Sequence, residues 1–301
     1  MKTEKKFKVD FIGIGAQKCA TTWMYECLKE HPQICMSKPK EVNFFNQKYA
    51  FSEETEDNWV KGMDWYKKHF RHCSSEENIR GEFSVNYLYD SKAPKRIKEK
   101  FPNIKLIVCL RDPVERAISQ YSHCISKYKH FVKKYSNFKE AVKDIDEFIE
   151  RGLYFEQLKR YFNFFNEEQI LVLFYDDIQK NPVNFIQKIY KFLSVDTNFT
   201  PNKATQVLQP YKKYKFTFFK DMLNDTYRFT NRYSRLIKFL KKSGLYSLGK
   251  YIKQLNEKRV KKKHNVTIDP YIKMELEDKF RDDIKKLEEL LDKDLSFWGN
   301  Y

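Results

Sequence analysis

Three groups of residues in the 301-residue chain have the types and spacing to do chemistry. The first is GAQKCATTW, in which Lys18 sits in a run of small residues and is followed by Thr21 and Thr22. A short apolar run before it and a helical pattern after it make this the layout of an anion cradle. Loop amides and the positive end of a helix dipole converge there with one lysine and two hydroxyls. The second is Arg111, which follows the apolar run IKLIVCL and precedes Asp112-Pro113, a good cap and a good first helical residue. The third is Glu41, between Lys38 and Lys40 on one side and Phe44-Phe45 on the other. Its carboxylate can serve as a base or simply pair with a neighbouring lysine, and the aromatic pair can plug the core.

The elements that must position these groups are legible as patterns. Residues 8–14 predict a buried strand and 21–30 a helix ended by His31-Pro32. Residues 37–46 read as a loop or short strand, and 51–72 as an aromatic-rich helix interrupted near Gly62. A strand or loop follows at 81–90, a short helix at 93–101, and core strands at 104–110 and 170–174. Helices are expected over 138–165, 183–193, 223–240 and 245–255. A final one opens at Asp269-Pro270, with Ile272, Leu276, Phe280, Ile284, Leu287 and Leu291 along one stripe. Strand and helix alternate, so the fold class is α/β: a P-loop-like parallel sheet flanked by helices on both faces. Ligands bind at the carboxyl edge of such a sheet, where Lys18 and Arg111 fall. No repeat or flexible linker divides the chain, so 1–301 is taken as one domain, with a basic helical segment at about 211–263 as an insertion or lid.

Composition narrows the class. With 41% hydrophobic and 17% aromatic residues the chain folds, and it carries a net charge of +17. Residues 212–263 hold 17 Lys and Arg against Asp221, Asp225 and Glu257, leaving 14 net positive charges there. Such a block suits an anionic substrate, an anionic surface or a solvated face, and charge alone does not choose. Cys19, Cys27, Cys35, Cys73, Cys109 and Cys124 form no CxxC pair and no zinc spacing, which predicts free thiols in a reducing compartment. The N-terminal apolar run is too short for a signal-peptide core, and no stretch approaches the roughly 18 apolar residues of a membrane span. A cytoplasmic protein is expected.

Three occupants of the cradle are open: ATP or GTP in a P-loop kinase, a nucleotide sulfate donor, or a structural anion. The kinase needs a Walker A loop and an acid beside Mg²⁺. GxxxxGK[ST] cannot be written through Gly13, Gly15 and Lys18, and Asp176 and Asp177 read more simply as cap or loop contacts. A sulfuryl group carries less charge than a terminal phosphoryl group, so lysine, hydroxyls and amides can stabilise its transfer without a bridging metal.

GAQKCATTWMYECL resembles the 5′-phosphosulfate loop of sulfotransferases that use 3′-phosphoadenosine 5′-phosphosulfate (PAPS), and LIVCLRDPVERAISQYSH resembles their 3′-phosphate-binding strand and helix. The two occur in the family's order, about ninety residues apart. GEFSVNYLYD, Gly152-Leu153-Tyr154, ILVLFYDDI and the closing LSFW resemble further family landmarks, so the likeness runs along nearly the whole chain. It implies that Lys18, Cys19, Ala20, Thr21 and Thr22 bind the 5′-phosphosulfate, with Lys18 also neutralising the bridging oxygen. It implies that Arg111 and Ser119 hold the 3′-phosphate and, by position, that Lys261, Lys262 and Lys263 close over the nucleotide. KEVNFF resembles the KE-x-H-FF segment of the glycan-sulfating branch, which includes the heparan sulfate sulfotransferases, and this makes Glu41 the base. Asn43 stands where that segment has histidine, and Asn43 and Phe83 are expected to face the acceptor.

The expected function is therefore transfer of a sulfuryl group from PAPS, leaving 3′-phosphoadenosine 5′-phosphate (PAP), to a hydroxyl on a carbohydrate or lipid-linked sugar, without a metal. The rivals are a P-loop nucleotide kinase using ATP and Mg²⁺, and a non-catalytic polyanion binder. No specific nucleic-acid motif is present, 212–263 is a candidate contact with an anionic surface, and the oligomeric state is open.

Overall fold

In a computed structural model, the described residues are 7–47, 57–74, 79–205, 212–214, 257–259, 269–299 and 301. The chain divides into two compact units, 1–207 with 266–301 and the intervening 208–265. In the first unit, strand β1 (Phe11–Gly15) leads into helix α1 (Thr21–Glu30), strand β2 (Ile34–Met36), helix α2 (Gly62–Lys67) and strand β3 (Ile79–Phe83). Helix α3 (Ala93–Lys100), strand β4 (Lys105–Leu110) and helix α4 (Pro113–Lys127) follow. Three short helices, α5 (Lys129–Lys134), α6 (Phe138–Asp144) and α7 (Glu147–Glu150), precede α8 (Tyr154–Phe162) and strand β5 (Ile170–Phe174). Then come α9 (Tyr175–Lys180), α10 (Pro182–Leu193) and α11 (Asn202–Thr205). In the second unit, strands β6 (Lys212–Tyr214) and β7 (Glu257–Arg259) pair antiparallel. Helix α12 (Pro270–Leu291) returns to the first unit.

Strands β2-β3-β1-β4-β5 form one parallel sheet in that order, with helices flanking it. Strand β1 is central, and every residue along it is buried, as a doubly covered parallel strand requires. Between β1 and β3 two glycines make room for two phenylalanines: Phe11 lies opposite Gly81 and Gly13 opposite Phe83. A Cβ on Gly13 would stand 2.0 Å from the Phe83 ring, and one on Gly81 would stand 2.1 Å from Phe11. Phe83 is therefore spent on closing β1 against β3, which corrects the expectation that it faces an acceptor.

The predicted strands at 8–14, 104–110 and 170–174 and the predicted helices at 21–30, 93–101 and 269 onward are present within a few residues. The interruption near Gly62 is real: Gly62 has φ 73 between a 3₁₀ turn at 58–61 and α2. Strand β2 was not foreseen, because three residues after His31-Pro32 show no period. The helices expected over 223–240 and 245–255 lie outside the described residues. Among those described, no helix is long and apolar enough to cross a membrane.

The cysteine reading needs correction. Cys35 and Cys73 form a disulfide with Cα atoms 5.8 Å apart, whereas Cys19, Cys27, Cys109 and Cys124 are free and buried. Cys35 lies in β2, and Cys73 ends the segment after α2 that folds back beside it, so proximity arises from chain reversal rather than from spacing. His72 completes a cluster of potential ligand atoms within 4.8 Å. Its Nε2, however, lies 3.0 Å from the Met36 carbonyl oxygen, and the two sulfurs are bonded to each other.

Candidate active site

Parallel order puts the loops after β2, β3, β1, β4 and β5 along one carboxyl edge. Because β1 and β4 are hydrogen-bonded neighbours, the Lys18 loop and Arg111 emerge side by side. The loop is fastened by the Ala16 amide on the Cys109 carbonyl at 2.8 Å. Lys18 and Ala20 take left-handed backbones, φ 71 and 59, which cost L-residues about 1 kcal/mol each or more. Ala20 is also the N-cap of α1 and supplies no side-chain acceptor. The first-turn amides of the helix are thus left for another acceptor, which is the backbone of an anion cradle.

Lys18 is half-buried, and burial pulls its ammonium down to about 8, with Arg111 and Arg116 contributing in the same direction. A cation in this position gains from a bound anion. Cys19 is fully buried, and its thiol is pushed up to about 11, again by burial first. Its Sγ lies 3.6 Å from the Gln17 carbonyl, so Cys19 supports the loop from below. Thr21 is buried and Thr22 exposed.

Arg111 behaves as its position predicts. Asp112 caps α4 by accepting the Glu115 amide at 2.8 Å, with Pro113 in the first turn. The Arg111 guanidinium lies 4.6 Å from the Tyr175 ring centroid, and its Nη2 is 3.1 Å from Glu115 Oε2. The Tyr154 hydroxyl donates to the Arg111 carbonyl at 2.9 Å, tying the Gly152-Leu153-Tyr154 segment to this strand end. Gly152 is required there, since a Cβ would meet Phe280 at 2.8 Å. Ser119 is half-buried two turns into α4. Beneath it Arg116, fully buried, donates to Gln120 and to the Phe148 carbonyl.

Glu41 does pair with a lysine: Lys40 Nζ stands 2.7 Å from its Oε1. The same ammonium lies 3.5 Å from Thr21 Oγ1, so Glu41 is one ammonium away from the cradle. Phe44 and Phe45 plug the core beneath, with Phe44 4.8 Å from the Tyr66 ring and Phe45 5.5 Å from Tyr87. Asp176 accepts from the Trp298 indole at 3.1 Å, and Asp177 pairs with Lys188 at 3.0 Å. Both lie in the first turn of α9 and are tied up in contacts within the fold, after strand β5, which β4 separates from the cradle strand. Lys261, Lys262 and Lys263 lie outside the described residues.

A family model for the sulfotransferase domain matches residues 8–286. The chain belongs to the sulfotransferase family. Among curated relatives it is 26% identical over 317 residues to the membrane-associated sulfotransferase kil1 of Dictyostelium discoideum, covering 74% of this chain and 65% of that protein. It is 29% identical to the mouse bifunctional heparan sulfate N-deacetylase/N-sulfotransferase 4, over 64% of this chain and 23% of that one. With mouse heparan sulfate glucosamine 3-O-sulfotransferase 5 it shares 27% identity over 61% of this chain and 53% of the relative. The chain thus spans less than two thirds of the length of these relatives. The fold matches a solved sulfotransferase from Alicyclobacillus acidocaldarius with a TM-score of 0.66, at 23% identity and over 97% and 99% of the two chains.

One residue near the Lys18 loop is not singled out by the sequence. His123 is close enough to Lys18 for that charge to help drive its imidazole down to about 4, after burial and together with Lys127. It is therefore neutral at physiological pH. The signal was available: His123 lies four residues after Ser119, hence on the same face of α4.

Proposed function

We propose that the chain is a PAPS-dependent sulfotransferase that sulfates a hydroxyl on a carbohydrate or lipid-linked sugar, with Glu41 as general base. The observation that carries this reading is Lys40, whose ammonium reaches both Glu41 and the cradle hydroxyl of Thr21. A base candidate and an anion cradle are thereby neighbours. PAPS has phosphates at both the 5′ and 3′ positions and so needs two anion sites. Lys18, Cys19, Ala20, Thr21 and Thr22 suit the first. Arg111, with a planar fork for phosphate oxygens, suits the second together with Ser119. The left-handed backbone at Lys18 and Ala20 and the uncapped start of α1 fit such an occupant.

When bound, PAPS supplies an activated sulfuryl group. Glu41 takes the acceptor proton, and Lys18 and the loop amides stabilise negative charge at the leaving oxygen. The heparan sulfate relatives support a glycan acceptor, and the 211–263 segment reads as an insertion in the domain that serves the acceptor or the nucleotide, with Lys261 to Lys263 on the nucleotide side. On this reading no metal takes part, and EDTA leaves turnover unchanged. The cytoplasmic expectation rested in part on free thiols, and the Cys35–Cys73 bond removes that part of its support.

The test is transfer from ³⁵S-labelled PAPS to fully desulfated, N-acetylated heparin, alongside thermal stabilisation by PAP and by ATP·Mg²⁺. PAP is expected to stabilise the protein and ATP·Mg²⁺ is not. Glu41→Gln is expected to cut kcat about 10²–10⁴-fold while PAP stabilisation is retained. Normal turnover by that variant removes Glu41 from the mechanism, and a wild type indifferent to PAP removes the donor.

A further inference from the structure

Glu41 is followed by three backbone amides that are all held from one side. The Val42 amide is hydrogen-bonded to the carboxylate of Glu82. The Asn43 amide donates to Ser84 Oγ at 3.0 Å, and the Phe44 amide donates to the Tyr87 phenol oxygen at 2.9 Å. Ser84 and Tyr87 each own a single hydroxyl proton, and both direct it at Glu82, at 2.9 and 3.1 Å. Tyr66 adds a third donation at 2.7 Å. A hydroxyl whose proton is committed to an anion presents its lone pairs to other donors. One carboxylate thus sets the polarity of two further acceptors, and the three together comb the loop. Asn43, at φ 51, provides the turn, a conformation asparagine tolerates better than most residues.

Glu82 is fully buried in β3, between β2 and β1 and opposite Ile12, while Phe83 beside it is locked over Gly13.

We propose that Glu82 is a positioning residue for the acceptor half of the site, fixing through Ser84 and Tyr87 the backbone from which Glu41 projects. The proposal rests on the reading of Glu41 as the base. A buried carboxylate with no opposite charge against it is costly, and a purely structural comb would be served as well by a neutral amide. What the carboxylate adds is four acceptor sites and no donor, so that both hydroxyls are forced to point the same way.

The arrangement carries its own pH dependence. Burial pushes the Glu82 carboxyl up to about 7, against the pull of the Tyr66, Ser84, Tyr87 and Val42 donations. The titratable groups facing it are Tyr66 from α2 and Tyr87 from the turn after β3. Both phenols are held well above their usual range by burial and by the Glu82 charge. From β1 it meets Ile12, and no charged side chain stands among its main influences. Protonation gives Glu82 a donor of its own, which must displace one of the four donations. Where the group displaced is Ser84 or Tyr87, its hydroxyl must reorient, and the hold on the Asn43 or Phe44 amide is weakened.

The experiment compares Glu82→Gln and Ser84→Ala with the wild type. It measures ³⁵S transfer to desulfated, N-acetylated heparin across pH, stabilisation by PAP, and hydrogen exchange at amides 42–44. For Glu82→Gln the expectation is a kcat about a hundredfold lower, unchanged PAP stabilisation, faster exchange at 42–44, and loss of the acid limb near pH 7. Ser84→Ala, which leaves the carboxylate in place, keeps that limb, speeds exchange at Asn43 and lowers kcat about tenfold. If either folded variant leaves kcat and exchange at wild-type values, the proposal is overturned. If Glu82→Gln does not fold, Ser84→Ala decides. Glu41→Gln in parallel separates the two readings: full activity there defeats the base, whereas unchanged exchange in the Glu82 and Ser84 variants defeats the positioning role whatever Glu41 does.

Discussion

The two halves of the site are built in opposite ways. On the proposed donor side, around Lys18 and Arg111, the protein leaves things undone. Two residues hold left-handed backbones, a ten-residue helix starts without a side-chain cap, and a lysine is pulled down to about 8 by burial and neighbouring cations. On the proposed acceptor side, around Glu41, the backbone is held internally. Three successive amides are satisfied by Glu82 and its hydroxyls, and Asn58 donates to the Asn43 carbonyl at 3.0 Å. Beyond them, Arg96 grips Asp57 at 2.8 Å and the Phe45 carbonyl at 3.2 Å. The donor half carries unfavourable charge and backbone that an anionic ligand would relieve, whereas the acceptor half is tied by internal hydrogen bonds without a ligand. Such a division suits a nucleotide that recurs in every turnover and a base whose angle must be right beforehand.

Substitution of Lys18 attacks the unfinished half directly and carries the largest expected effect. Lys18→Met keeps the aliphatic stem but removes the charge, and kcat is expected to fall about 10²–10³-fold. Because the same substitution relieves a buried cation, the apo protein should melt at or above the wild-type temperature. A lower melting temperature would mean that the cradle is not under charge strain. The finished half is attacked by opening its outer clasp. The Cys35–Cys73 bond closes the chain around the Glu41 loop, and within it the Lys38 amide donates to the His69 carbonyl at 2.9 Å. The double substitution Cys35→Ser with Cys73→Ser is expected to lower stability by about 2–4 kcal/mol in denaturant titrations and to leave PAP affinity unchanged. A matching loss of PAP affinity would show that the halves are not independent.

The same contrast explains what was legible in the sequence. The donor half is contiguous: strand, loop and helix follow one another within 11–30, and Arg111 sits between β4 and its own cap and proline. Local rules therefore placed Lys18, Arg111 and the sheet edge. Glu41 carried only an ambiguous signal, a carboxylate among lysines. What holds its loop comes from Asn58, Tyr66, Glu82, Ser84 and Tyr87, up to some forty residues away and with no spacing to betray them. Phe83 was misjudged for the same reason, since only the pairing of β1 with β3 shows that Gly13 is its socket. The disulfide and strand β2 were likewise products of tertiary contact.

Arg111 tests whether the donor half works as a pair of sites. Arg111→Ala removes the fork over Tyr175 and is expected to weaken PAP binding by about 1.5–3 kcal/mol, roughly ten- to a hundredfold by calorimetry. Stabilisation by inorganic sulfate, which needs only the Lys18 loop, should be retained. Equal loss of both ligands would merge the two sites into one.

The smallest effect, and the most direct reading of strain in the cradle, is a proton. In the free protein Lys18 loses half its charge near pH 8, because burial disfavours the ammonium. A bound phosphate favours the charged form, so its pKa rises in the complex and binding must take up a proton wherever pH exceeds about 8. PAP affinity is then steady below that pH and declines above it, by at most tenfold per pH unit. Calorimetric titrations at pH 8.5 in two buffers of unlike protonation enthalpy measure the uptake directly. The expected value is a sizeable fraction of one proton in the wild type and none in Lys18→Met. Glu41→Gln leaves it unchanged, because the acceptor half has no part in relieving that charge.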